Sequence, residues 1–454
     1  MGSLYPRIGN HAIVMGGSMA GLLASRVLSD FYEKVTLIER DTLPVSASQR
    51  RGVPQGRHTH GLLASGGRVL EDFFPGISNA LQQDGAVTGD ISRDSRWFFE
   101  GACLKRVASG LNGLLMTRPM VEAAVRERVV RIANVMTRDN TAVRALATNG
   151  GTVAGVVIGD ETLSADLVVD ATGRGSHTPH WLETMGFPKP PEESVQVALG
   201  YTTRFFRRER HHLGGDIAVI IPPTPTGKRG GVMLAQEGDR WTVTLIAHFG
   251  NYAPEDVDGF VKFAGTLPAP YIHEVVSQAE PLGEPASSRF PASIRRRYES
   301  LTRFPEGYLV MGDAMCSFNP IYGQGMSVSA LEAVELRKCL AQGSANLAKR
   351  FFGAAAKVVD IPWGIAAGND LRMKEAVGRR TAAVKFINWY MSKLHKAAHT
   401  DEVPAMAFHN VGNLLAPPES VMHPRVMARV LLRNLGFVPR SAPSVDSRAV
   451  STAE

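Results

Sequence analysis

The chain has 454 residues, 44% of them hydrophobic and 20% charged, with 50 basic against 43 acidic side chains for a net charge of +7. That composition excludes disorder throughout and leaves room for two or three domains around a large core. No apolar run approaches the ~18 residues of a membrane-spanning helix, and the N-terminus lacks a secretory pattern.

Cys103, Cys316 and Cys339 lie far apart and form no CxxC pair, so a reduced, cytoplasmic setting is expected. The densest basic run, Arg295-Arg296-Arg297, has no interleaved aromatics and reads as a solvated face, so no nucleic-acid partner is expected.

The chain opens on an apolar strand, residues 11–15, that runs into Gly16-Gly17-Ser18-Met19-Ala20-Gly21. A helical pattern through Leu22, Leu23, Val27 and Leu28 follows, then a second strand, 35–38, ending at Glu39 with Arg40 beside it. Gly16 permits the tight turn and Gly21 the close packing of helix on strand. A dinucleotide pyrophosphate would sit on the helix N-terminus, where unpaired N–H groups and the helix dipole favour anions. Glu39 falls where an acid would take the adenosine ribose hydroxyls. Ser18 departs from the pattern by replacing its middle glycine, but it is small and carries a donor.

His58 and His60 form an H-x-H pair without further ligands at metal spacing, so no metal is expected there. A conformational role or a place at a cofactor's edge fits them better. Thr117-Arg118-Pro119 reads as a helix start, proline standing in the first turn.

Strands are expected at 195–206, 216–221, 231–236 and 240–249, with short helices near 255–263 and 271–278. Tyr201, Thr202, Phe205, Trp241 and Val243 suit either a sheet covering a ligand or simple core packing. His211-His212, among charged neighbours, reads as solvated surface.

The run 308–311 is a buried strand, followed by Gly312-Asp313-Ala314, then Asn319-Pro320-Ile321-Tyr322-Gly323-Gln324-Gly325-Met326, then a helix over 327–340. This is a second place where a loop and a helix start present N–H groups to a ligand. From 346 the pattern is helical, with 366–394 and 424–435 amphipathic and Arg425, Arg429 and Arg433 on one face of the last helix, opposite Val430 and Leu431. Residues 441–454 read as a disordered tail.

Taken together, these motifs resemble the FAD-dependent aromatic-hydroxylase superfamily typified by para-hydroxybenzoate hydroxylase. Arg51-Gly52-Val53-Pro54-Gln55-Gly56-Arg57-His58-Thr59-His60 resembles the branch of flavin epoxidases in polyether antibiotic biosynthesis, a secondary metabolism. The resemblance spans roughly residues 10–340. It implies an α/β fold: a GR2-type, Rossmann-like FAD-binding domain (10–190 and 301–345), an inserted β-sheet substrate domain (191–300) and a C-terminal helical region (346–440).

The resemblance also implies that Asp313 holds the FAD ribitol. Pro320, Gly323, Gln324, Gly325 and Met326 would meet the pyrimidine end of the flavin, and Arg118 the pyrophosphate or ribitol. Arg51 fits either a basic residue near the cofactor or a surface charge. The stretch Asp170-Ala171-Thr172-Gly173 carries Thr172 where aromatic hydroxylases carry an aspartate, which bears on how NAD(P)H docks.

The implied activity is insertion of one oxygen atom from O2 into a small, largely apolar organic substrate, as epoxidation or hydroxylation, through a flavin C4a-hydroperoxide. NAD(P)H would donate electrons directly or through a partner flavin reductase. That chemistry belongs to the cofactor, and no catalytic side chain is assigned. The W-x-W-x-I-P signature of flavin halogenases is absent; Ile361-Pro362-Trp363 has the wrong order. A non-catalytic binding or escort protein of the same fold, or a flavin-dependent reductase or dehydrogenase, is the alternative.

Overall fold

The computed structural model describes residues 5–436, so the tail expected at 441–454 lies outside the described residues. A five-stranded parallel sheet orders its strands Tyr308–Val310, Leu167–Asp170, Gly9–Met15, Tyr32–Ile38 and Val135–Arg138. The central strand is buried on both faces: Ile13 and Val14 are fully buried, and Ile13 pairs with Val168 on one side and Thr36 on the other. Helix Met19–Leu28 buries Leu22, Leu23 and Val27 in the same core as Leu336 and Leu340 of helix Gly325–Leu340. The opening strand–helix–strand pattern and the strand before Asp313 stand where the sequence places them.

An eight-stranded sheet forms the second layer. Its long strands Glu192–Arg207, Arg240–His248 and Arg229–Gln236 pair antiparallel. Alternation divides its residues cleanly. Val219, Ile221, Met233, Ala235, Val243 and Leu245 pack with Phe260, Ile272 and Val275 from the short helices Val257–Ala264 and Tyr271–Val276.

The expected boundary at residue 190 does not separate the sheets, because strands Ser95–Phe99 and Ala102–Cys103 belong to the eight-stranded one. The run Arg295–Arg297 is no solvated face. It ends a 16-residue strand, Pro281–Arg296, and Arg295 is buried against Asp360 at 2.6 Å and Glu299 at 3.3 Å. His212 is buried too, accepting from the Trp241 indole at 3.2 Å, while His211 stays exposed.

The amphipathic stretch 366–394 is two helices, Leu347–Asp370 and Ala382–Ala398. The intervening turn is locked by the Arg380 guanidinium, which donates to the carbonyls of Leu371, Met373 and Ala376, and by Val377, whose backbone pairs with Gln196. The Thr381 hydroxyl then caps the second helix by accepting from Val384 N–H.

Helices Glu402–Gly412 and Pro424–Leu435 complete the C-terminal region around Tyr390, Leu394 and Val430. Arg429 and Arg433 do share a face, and it docks on Asp401 at 3.5 and 3.0 Å. Leu431 is 60% exposed rather than part of the apolar side, since it lies around the helix from Val430. Among the described residues, no helix is long and apolar enough to cross a membrane.

Candidate cofactor and substrate site

The C-terminal ends of the parallel strands open into one continuous cavity of about 1350 Å3. This is where ligands bind in open α/β sheets. A typical ligand pocket measures about 300–1,000 Å3, so the cavity has room for more than one small molecule.

One end is a cradle for a dinucleotide. Gly16 turns with φ +103°, and a Cβ there would lie 2.5 Å from the Ala171 carbonyl oxygen. At Gly21 a Cβ would come within 1.7 Å of the Gly16 oxygen, so helix and strand can meet only without it. The first-turn N–H groups of the Met19–Leu28 helix have no partner within the helix and face the cavity.

Glu39 ends its strand buried, with Oε2 accepting from Gly17 N–H at 2.7 Å and Oε1 from Asp41 N–H at 3.0 Å. Ser18 donates to Glu122 Oε2 at 3.0 Å and accepts from Arg118 at 2.7 Å, so the residue that replaces the middle glycine ties the loop to the next helix. That helix, Arg118–Val130, is capped by Thr117, and its Arg118 and Glu122 pair at 3.1 Å.

The basic residue beside Glu39 is Arg50 rather than Arg51. Arg50 bridges Glu39 at 3.1 Å and Glu122 at 2.9 Å, while Arg51 points outward and is exposed. Burial works against the Glu122 carboxylate, but Arg118 and Arg50 outweigh it and hold its pKa below the usual range. Arg40 is exposed on the cavity rim.

At the other side of the cradle, Gly312 turns with φ +66° and Asp313 enters the cavity. Burial raises the Asp313 carboxyl, opposed by Arg118 and Arg174, and among the described residues nothing hydrogen-bonds to it. Gln324 is also buried in the wall, with its Oε1 unpartnered. Pro320, Gly323, Gly325 and Met326 line the same wall. The preceding loop is anchored by Asp370, which accepts from Asn319 at 2.9 Å and from the Tyr322 hydroxyl at 2.7 Å. An open glycine cradle, an unpartnered carboxyl and an unpartnered amide oxygen together fit a polyhydroxylated dinucleotide such as FAD.

Beneath this wall, Gly312 N–H donates to Glu332 at 2.6 Å. Burial pushes Glu332 up to about 8, with Gly312 opposing and Asp313 adding. An unfolded glutamate loses its proton near 4.5, so between there and about 8 folding must take a proton up. The Glu332 contribution is therefore fully present below about pH 4.5 and lost as the pH rises through about 8. Glu332→Gln is expected to flatten the fall in stability between pH 5 and pH 8.5, read from urea midpoints. An unchanged slope would contradict the assignment.

Thr172 is turned inward. Its N–H and hydroxyl donate to the buried Asp170 at 2.8 and 2.6 Å, and Gly173 makes the turn with φ +82°. His58 and His60 do not converge on a common point. His58 Nδ1 meets the Thr203 hydroxyl at 2.9 Å, and His60 Nδ1 the His58 carbonyl at 3.0 Å. Burial, with Arg57, lowers His58 to about 4; burial, with Arg118, lowers His60 to about 3. Both are neutral wall residues; His58, with Thr59 bonded to the Thr244 hydroxyl, fastens the 51–60 segment to the large sheet, and His60 braces the segment from within.

The rest of the cavity was hidden in the sequence. Alternate residues from four strands of the large sheet line it: Trp97 and Phe99, Ala218 and Ile220, Val232 and Leu234, and Thr244 and Ile246. Its remaining wall comes from the C-terminal helices, through Ile387, Met391, His395, Phe408 and His409.

No family model matches the chain. Protein Rv3254 of Mycobacterium tuberculosis (strain ATCC 25618 / H37Rv) is 33% identical over 464 residues, covering 94% of this chain and 95% of that protein. The chain belongs to the family of Protein Rv3254.

Among solved structures, the flavin-dependent brominase Bmp2 superimposes with a TM-score of 0.62 at 15% identity, over 94% of this chain and 98% of that one. PqsL of Pseudomonas aeruginosa, described as "a probable FAD-dependent monooxygenase", superimposes with a TM-score of 0.59 at 16% identity, over 81% and 98%. The chain shares the fold of these flavin-dependent enzymes.

Proposed function

We propose that the chain is an FAD-dependent monooxygenase that inserts one oxygen atom from O2 into a small, largely apolar organic substrate. The observation that carries this reading is the continuity of the cavity, which joins a dinucleotide cradle to an apolar chamber between the large sheet and the C-terminal helices.

Gly16, Ser18, Met19, Ala20 and Gly21 would hold the pyrophosphate, and Glu39 the adenosine ribose. Asp313 would take the ribitol hydroxyls, and Gln324, Gly325 and Met326 the pyrimidine end, where the dipole of the Gly325–Leu340 helix favours negative charge. Arg118 stands at the pyrophosphate side and Arg40 at the rim. Arg50, rather than Arg51, orients Glu39.

When bound, the flavin supplies the electrons and the activation of oxygen. The chain's own part is to exclude water and to orient the substrate. Trp97, Phe99, Ile220, Val232 and Met391 give an apolar wall on which a hydrocarbon frame displaces water. His58 and His60, neutral, add no charge to that wall.

NAD(P)H would reduce the flavin directly or through a partner flavin reductase. The Thr172 hydroxyl, committed to Asp170, favours slow reduction in the absence of substrate. The 51–60 segment supports epoxidation, with hydroxylation the other outcome.

Turnover under 18O2 with alkene and phenol candidates tests the reading. The product is expected to carry one labelled oxygen. Product that forms equally well without oxygen, or that takes up halide instead, would overturn it.

A further inference from the structure

Between the large sheet and the C-terminal helices five rings in mutual contact line the apolar chamber. Strand Ser95–Phe99 brings Trp97 and Phe99; helix Ala382–Ala398 brings His395; helix Glu402–Gly412 brings Phe408 and His409. Their centroids interlock. His395 lies 4.6 Å from Phe99 and 5.0 Å from Phe408, and His409 lies 5.2 Å from Trp97 and 5.5 Å from Phe408. All five line the cavity.

The two histidines stand out chemically. His395 is 5% exposed and His409 2%, yet both ring nitrogens of His395 and Nδ1 of His409 have no hydrogen-bond partner. The polar atoms around them are already engaged. Trp97 donates to the Ile91 carbonyl at 2.7 Å, and His399 meets the Phe99 carbonyl at 2.8 Å. Asp90 accepts from Ser92, Arg93, Ser109 and Gly110, and Arg372 is paired with Glu100 at 2.8 Å.

A buried polar atom left unpaired costs roughly 1–3 kcal/mol. Three such atoms, on two rings that line one cavity, amount to a site that a ligand completes.

The chemistry of the missing partner follows from the imidazole. Burial lowers His395 to about 3 and His409 to about 4, so each ring is neutral. A neutral imidazole has one donor and one acceptor, and His395 uses neither. A hydroxyl, which both donates and accepts, satisfies it; a hydrocarbon leaves both nitrogens orphaned. A carboxylate would be desolvated among aromatic rings, and the nearby Arg372 already serves Glu100.

We propose that His395 and His409 form the specificity-determining point of the cavity, selecting a flat apolar substrate that carries a neutral hydroxyl group. This deepens the monooxygenase reading and rests on the chamber being its substrate site.

Calorimetric titration of the purified protein with 2-naphthol, 2-methylnaphthalene and 2-naphthoate tests it. Water holds the hydroxylated molecule better than the hydrocarbon, so a chamber without a polar partner would favour 2-methylnaphthalene. One net hydrogen bond is worth about 1 kcal/mol, so the wild type is expected to prefer 2-naphthol by roughly fivefold to tenfold. It should bind 2-naphthoate more weakly than either.

His395→Phe keeps the ring shape and should abolish the preference with the flavin spectrum unchanged. Equal affinity of the wild type for 2-naphthol and 2-methylnaphthalene, or an undiminished preference in a folded His395→Phe, would overturn the proposal. Should that variant fail to fold, His409→Phe and the wild-type comparison decide. A protein that binds no FAD but keeps the 2-naphthol preference would sink the monooxygenase reading and leave the site. Bound FAD without the preference would sink the site alone.

Discussion

Asp313→Ala is expected to lose most of its bound FAD while folding at least as well as the wild type. The carboxyl is raised by burial, so in the empty cradle it costs rather than contributes stability. Among the described residues nothing hydrogen-bonds to it, and removing it orphans no protein group. Its use is toward a ligand. A hydrogen bond from a hydroxyl to a charged acceptor is worth roughly 1.5–3 kcal/mol, which is a loss of about tenfold to more than a hundredfold in FAD affinity. Asp313→Asn, retaining one acceptor, should fall between. Flavin fluorescence on titration with FAD, beside a urea melt of the apoprotein, separates binding from folding. Unchanged affinity in Asp313→Ala would remove Asp313 from the site.

Glu122→Ala is expected to act the opposite way, on the fold before the cofactor. Glu122 is 4% exposed and neutralises two buried arginines, Arg50 at 2.9 Å and Arg118 at 3.1 Å, with Arg126 at 3.7 Å. Removing one partner of a buried ion pair leaves uncompensated charge and costs about 3–5 kcal/mol. Arg50 keeps Glu39, so the loss falls mainly on Arg118 and on the Ser18 turn it holds. Denaturant melts should show a clear drop in midpoint. A change under about 1 kcal/mol would mean that the network is solvated enough to rearrange.

The contrast between these two residues shows what the sequence could and could not reveal. Gly16, Glu39 and Asp313 were legible because each closely follows the end of a strand, and Gly21 because it lies in the first turn of the helix after Gly16, where local backbone geometry fixes its place. Arg50 and Glu122 were not, since their partnership spans 72 residues and nothing in the local pattern of either marks it. The same physics separates Arg50 from Arg51: adjacent residues point to opposite sides, and only tertiary packing says which side is in.

Short strands such as Ala102–Cys103 and the 16-residue strand Pro281–Arg296, with Pro281, Pro285 and Pro291 and exposed polar positions, give weak alternation signals. The helix break at 371–381 is held by Val377 pairing with Gln196, far away in the sequence. The chamber wall of His395, Phe408 and His409 fell within the general helical pattern from 346 and carried no mark of its own, because a cavity-facing stripe and a core-facing stripe share one periodicity.

The central claim is that this chain binds FAD in the cradle between Gly16 and Gln324. The absorbance spectrum of the purified protein, with identification of the cofactor released on denaturation, tests it most directly. The account predicts a yellow protein that releases one FAD per chain, non-covalently held. A colourless protein whose addition leaves the spectrum and fluorescence of FAD unchanged would contradict it.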